Sequence, residues 1–169
     1  MKVSGWMWLG PLAFAVHDTE EILTVEPWLR AHAGSLPELV QPFATITASQ
    51  VSFAIAVLSV GYLVATWHGT RAVKAGASPV PFLLLTGAFV GNGVTHGLQA
   101  LAFRDYVPGL VTAILVSLPY GWGIARACLR GGIASRRKLL WIGGLGLILQ
   151  VPLALLALLA ARSWLPAPS

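Results

Sequence analysis

The chain has a single cysteine, Cys128, in 169 residues. One thiol can build neither a disulfide framework nor a thiolate zinc site. Charge is scarce too: Asp, Glu, Lys and Arg make up 10% of residues, against about 25% in a soluble domain. Acids are the scarcest, at six against eleven Lys and Arg. Apolar residues are abundant instead, at 56%, with mean hydropathy +0.76. A soluble globule of this size cannot hide so much apolar surface, which excludes an ordinary cytoplasmic enzyme. Disorder is excluded because it needs low hydrophobicity and high charge. The composition implies an integral membrane protein whose chemistry falls to His, Asp, Glu, Asn and Gln.

About 20 apolar residues in a helix cross a bilayer core, and continuous apolar runs without strict alternation indicate helices. Five segments qualify: residues 3–25, 43–67, 79–103, 107–129 and 139–161. The expected fold is therefore all-α, one integral membrane bundle of five transmembrane helices filling residues 1–169. Lys2, Arg71, Lys74, Arg126, Arg130, Arg136, Arg137 and Lys138 fall on one side, and only Arg30, Arg104 and Arg162 on the other. The positive-inside bias then puts the N-terminus in the cytoplasm, with the chain multi-pass in the cell (cytoplasmic) membrane. The same bias accounts for the basic patch, which suits lipid headgroups, so membrane lipid and not nucleic acid is the expected partner. Lys2 followed by an uncharged run to Ala13-Phe14-Ala15 also resembles a cleavable signal peptide, whose removal would leave four spans. The first outer segment, Glu26–Pro42, contains Pro27, Pro37, Pro42 and Trp28 and reads as an interfacial lid or a plain connector.

Ionisable groups within a span are costly, rare and usually functional. Here His17-Asp18-Thr19-Glu20-Glu21 interrupts the first helix. Spacings of three and four place His17, Glu20 and Glu21 on one face. Asp18 falls roughly 100° away from His17 and is expected to bond the backbone or turn outward. The third helix offers Asn92 and His96, also four apart, with Thr95 and Gln99 beside them. Gly93 and Gly97 form a small-xxx-small pair for close helix approach. At about 1.5 Å per residue, His17, Asn92, His96, Gln150, Gln50 and Thr112 reach similar heights, so every span offers a polar group to one layer.

Two imidazoles and two carboxylates suit a divalent metal, Zn, Fe or Mn. His17, Glu20, Glu21 and His96 are the candidate ligands. Glu20, Glu21 and Asn92 are the candidate catalytic groups, one carboxylate acting as base and Asn92 orienting a ligand. The same inventory serves metal-free acid–base chemistry, or a hydrogen-bonded network that only fixes packing. The H-x-x-E-H pattern of one group of zinc peptidases fails at Glu21, so peptidase activity does not carry over. His32 and His68 read as loop surface groups. Tyr106-Val107-Pro108-Gly109 reads as ordinary helix-start chemistry, while Pro119 and Pro152 are expected to kink or be tolerated.

His17-Asp18-Thr19-Glu20-Glu21 fits an H-x-x-E-E signature and Asn92-Gly93-Val94-Thr95-His96 an N-x-x-x-H signature. Together with Tyr106-Val107-Pro108-Gly109 and Thr112, they resemble the HXXEE family of small multi-spanning prokaryotic membrane proteins over about residues 6–125. That family is named for its motif and has no established function, so the resemblance implies which residues matter and no reaction. The expectation is a membrane-embedded, metal-dependent enzyme acting on a lipophilic or lipid-linked small molecule that enters from the outer half of the bilayer. A proton or divalent-cation carrier and a structural or partner-binding subunit are the alternatives.

Overall fold

A computed structural model describes residues 2–36, 38 and 41–165. Among these the chain is helical without strands, in five long helices: α1 (Val3–His32), α2 (Ala48–Lys74), α3 (Val80–Phe103), α4 (Leu110–Arg130) and α5 (Arg136–Trp164). The helices α2, α4 and α5 are long and apolar enough to cross a membrane. The helices α1 and α3 carry most of the buried acids, histidines and amides.

The helices run up and down. At one end Val3 of α1 meets Gly131 beyond α4. At the other, the Glu26 carboxylate accepts from Ala48 N–H (2.8 Å), Trp28 Nε1 donates to the Tyr106 carbonyl (2.6 Å) and Gln50 Nε2 donates to the Leu165 carbonyl (2.8 Å). We call the Val3 end the lower half. Its core is built on Met7, Phe82 and Cys128, all fully buried, with Tyr62, Phe89, Tyr120 and Ile124. The outward faces are apolar instead of charged: Leu23, Leu101, Leu140 and Ile148 are each about 70% exposed or more. Apolar surface on that scale is stable against lipid and unfavourable against water.

Several expected boundaries move. The helix α1 does not stop at Val25 but continues to His32, passing through Pro27. The outer turn is held from outside the helix ladder: Leu29 packs with Leu36, Ile46 and Val51, Trp28 is tied to Tyr106, and Glu26 pairs with Arg30 one turn on. The lid is thus half helix; Pro37, assigned to it, lies outside the described residues. His32 is not a free loop group, since its ring stacks on Trp28 at 4.3 Å and its Nδ1 meets the Trp28 carbonyl. His68 sits within α2, exposed. The helix α2 starts at Ala48, five residues later than the apolar run implies, because Thr47 and Gln50 form a reciprocal capping box there. Gln50 is therefore a terminal cap and takes no place in the polar layer.

The helix α4 contains one π turn, Ala113–Ser117, closed by Leu118 N–H to the Ala113 carbonyl. Pro119 follows immediately. It has no N–H to give the ladder, and the wider turn is a standard accommodation for a broken i→i−4 bond. The expected glycine seam also lies elsewhere. A Cβ on Gly97 would meet nothing within 4 Å, whereas one on Gly146 of α5 would lie 2.6 Å from Ala88 N, and one on Gly91 2.9 Å from Leu147 Cα. Backbone contact between α3 and α5 needs glycine at those positions, and it presents the Asn92–His96 face to α1.

Candidate functional site

His17 and Glu21 stand one turn apart on α1, and Asn92 and His96 one turn apart on α3, so four side chains meet across one helix pair. Glu21 Oε1 lies 2.7 Å from His96 Nε2 and 3.2 Å from His17 Nε2. Asn92 Nδ2 is 3.0 Å from Glu21 Oε1, 2.9 Å from His96 Nε2 and 3.2 Å from His17 Nε2. His17 is fully buried and His96 nearly so. One donor atom each from His17, Glu21 and His96 falls within 4.8 Å of the others, so the three could hold a metal ion.

Glu20 is turned to a different task. Its carboxylate accepts from Thr112 N–H (2.7 Å), Val111 N–H (3.2 Å), the Thr112 hydroxyl (2.5 Å) and the Tyr106 hydroxyl (2.7 Å). It thus closes the N-terminus of α4, where an anion is favoured, and stands outside the three-residue group. Tyr106, in the loop before α4, keeps its proton to higher pH than an ordinary tyrosine, first because it is partly buried and then because it donates to Glu20.

The Glu20 contact fixes a tautomer. The Thr112 hydroxyl has one hydrogen, and the charge-assisted bond to Glu20 takes it. Thr112 Oγ1 must then accept from His17 Nδ1 at 2.9 Å. His17 therefore carries its proton on Nδ1 and, when neutral, points the Nε2 lone pair at the centre. The centre itself cannot be fully satisfied by protons. His96 Nε2 faces both an amide donor and a carboxylate acceptor, so either choice of its own proton leaves one contact unmatched. Rotating the Asn92 amide brings its oxygen against Glu21 and moves the mismatch without removing it. His96 Nδ1, buried, has no partner among the described residues.

Gly109 closes the top. Its φ of +82° lies in the left-handed region, and a Cβ there would fall 3.0 Å from Glu21 Cγ, 3.0 Å from His96 Nε2 and 3.1 Å from His17 Cε1. The glycine leaves room at the point where the three groups converge. The Pro108-Gly109 pair is legible as a turn; nothing in the sequence places it over the site.

The remaining expected members divide. Thr112 is in the layer, and Gln150 reaches it by donating to Thr95 Oγ1 at 2.7 Å. Gln99 is exposed and takes no part. Asp18 neither turns outward nor bonds away its charge: it is only 3% exposed, and its Oδ2 has no partner among the described residues. The 100° offset from His17 is real, but that direction leads into the bundle between α2 and α5.

The chain matches the family described as protein of unknown function with HXXEE motif over residues 8–124, and it belongs to that family. No curated protein and no solved structure matches it.

Proposed function

We propose that the chain is a five-span enzyme of the cytoplasmic membrane, with its N-terminus inside, that uses a divalent metal held by His17, Glu21 and His96. The observation that carries this reading is the proton accounting: a cluster that no arrangement of hydrogens satisfies becomes consistent when both imidazoles and the carboxylate offer lone pairs to one cation. The Asn92 amide, turned oxygen-inward, would add a fourth. Two imidazole nitrogens with carboxylate and amide oxygens suit Zn, Fe or Mn. The room left by Gly109 supports the same conclusion.

Such an ion would supply Lewis acidity or an activated water. The chain's own residues have separable tasks. Glu20 acts through the Thr112 hydroxyl to hold His17 in the Nδ1–H tautomer, so it is a positioning residue, of the kind outer hydrogen-bond partners usually are. Glu21 is the one acid in reach of both imidazoles and takes or gives the proton when substrate displaces a contact. Asn92 orients what enters. The reading of five spans rests on the lengths of α1 and α3, and the inside N-terminus on the eight basic residues of the lower end.

The test is metal content. Protein purified without added metal should hold about one ion per chain, falling to near zero in His17→Ala and Glu21→Gln. A wild type that is free of metal and stays active in strong chelator overturns the metal. The short Glu21–His96 bond (2.7 Å) would then favour the second reading, a metal-free acid–base pair. A carrier, by contrast, calls for helices broken at the site, and α1 and α3 run through it unbroken.

A further inference from the structure

Beside the cluster lies a cavity of about 230 Å³ between α1, α2, α3 and α5. Its walls are mostly apolar, with Phe14, Leu58, Leu85 and Leu153 contributing. Glu21 and Asn92 form part of the lining, so the cavity adjoins the proposed metal centre. Two further polar groups line it, Asp18 and Gln150, and each presents a buried oxygen that has no partner among the described residues: Asp18 Oδ2 and Gln150 Oε1.

Both are acceptors. The Gln150 orientation is set by its neighbours: Thr95 Oγ1 donates its hydrogen to the Gly91 carbonyl (3.0 Å), so it can only accept from Gln150 Nε2, which leaves Oε1 turned away and free. No Lys, Arg or His lines the cavity among the described residues. A buried acceptor without a donor costs free energy, and an acid in an apolar wall costs more. An occupant must therefore bring hydrogen-bond donors, preferably several on one atom, and an apolar body.

We propose that this cavity binds a small lipophilic amine, its nitrogen between Asp18 and Gln150 and its chain along Phe14, Leu58 and Leu153. Such an amine crosses lipid uncharged; a proton shared with the Asp18 carboxyl then leaves a pair without net charge, the form a low-dielectric wall tolerates. The volume is close to the lower end for small-molecule sites, a few hundred Å³, which suits a single short chain. The proposal deepens the functional reading by naming its substrate class, and rests on that reading only for the chemistry after binding.

The test uses the full chain in phosphatidylcholine nanodiscs with three probes, n-decylamine, n-decanol and n-decyltrimethylammonium. The amine should bind at least tenfold tighter than the other two, since decanol lacks the charge and the quaternary cation lacks N–H donors. Asp18→Asn, which keeps the shape, should remove that preference and leave decanol affinity within twofold; Leu58→Trp, which fills the cavity, should abolish binding of all three. Equal affinities for amine and decanol, or for amine and quaternary cation, overturn the proposal, as does an unchanged amine preference in a folded Asp18→Asn. Metal content measured on the same samples separates the two ideas. Metal-free wild type that still prefers the amine sinks the metal centre alone, and metal-loaded wild type without the preference sinks the amine alone.

Discussion

The lower and upper halves of the bundle join the same helices by different means. Below, α2 and α3 are tied by neutral hydroxyls: the Tyr62 and Thr86 oxygens lie 2.8 Å apart, and Thr66 satisfies itself on the Tyr62 carbonyl. The helix α1 approaches closely there because Gly10 leaves space for the Tyr62 and Tyr120 hydroxyls, 2.7 and 2.6 Å from where its Cβ would be. Above, α1, α3 and α4 meet through His17, Glu20, Glu21 and His96. An acid at the centre of a span costs about 2.5–3.5 kcal/mol even on the milder scales. The lower half demonstrates that hydroxyls are enough to hold these helices. The charge above is surplus to packing and needs another reason to be there.

The contrast can be broken or sharpened by substitution. The largest effect is expected from Glu21→Gln, which should weaken metal binding by more than about 100-fold, since outer partners alone are worth about 10–100-fold; its melting temperature without metal should barely move. A melting loss with unchanged metal would make the upper half packing after all. Next, Gly109→Ala should lose metal and also cost about 1–2 kcal/mol for the left-handed backbone, read from equilibrium unfolding with and without chelator. Glu20→Gln should lower metal affinity by about 10–100-fold through loss of the hold on His17, and Glu20→Asp should restore part of it. Tyr62→Phe should do the reverse, costing about 0.5–1.5 kcal/mol at constant metal content. The smallest effect concerns Glu26, outside both halves. Its bond from Ala48 N–H, then its Arg30 partner, holds the carboxyl below the ordinary glutamate range. A lowered folded value means the contribution is present at neutral pH and fades as pH falls through that value. Unfolding measured from about pH 7 to about pH 3, a range that brackets the ordinary glutamate value, should therefore show a drop in wild type that Glu26→Gln lacks.

Much of this is readable from residues alone. The spacing of His17 and Glu21, and of Asn92 and His96, is a property of the helix itself, and equal depth on two helices running the same way brings the pairs level. What depends on a neighbour is not readable. Glu20 and Glu21 are adjacent and chemically identical; one finds the N-terminus of α4 and the other the imidazoles, and only the position of α4 decides which. Asp18 is expected outside because a lone acid is cheapest there, yet the side of α1 that carries it faces a cavity between α2 and α5. Gln50 shares the layer's depth by count, but its capping partner Thr47 claims it. The glycine seam depends on the packing of α3 on α5, which no motif on α3 alone could specify.

The wide turn in α4 has a consequence for how this sequence can change. Thr112 above it reaches His17 and Glu20, while Tyr120, Ile124 and Cys128 below it fill the core. Deleting one residue from 113–117 would restore a regular helix, but would rotate everything on one side by about 100°. Either the hydroxyl would leave the histidine or the three core side chains would swing into lipid. The irregularity thus sets the phase between the two ends of the helix, and length variation should be far less tolerated in these five residues than in the loop before Thr47.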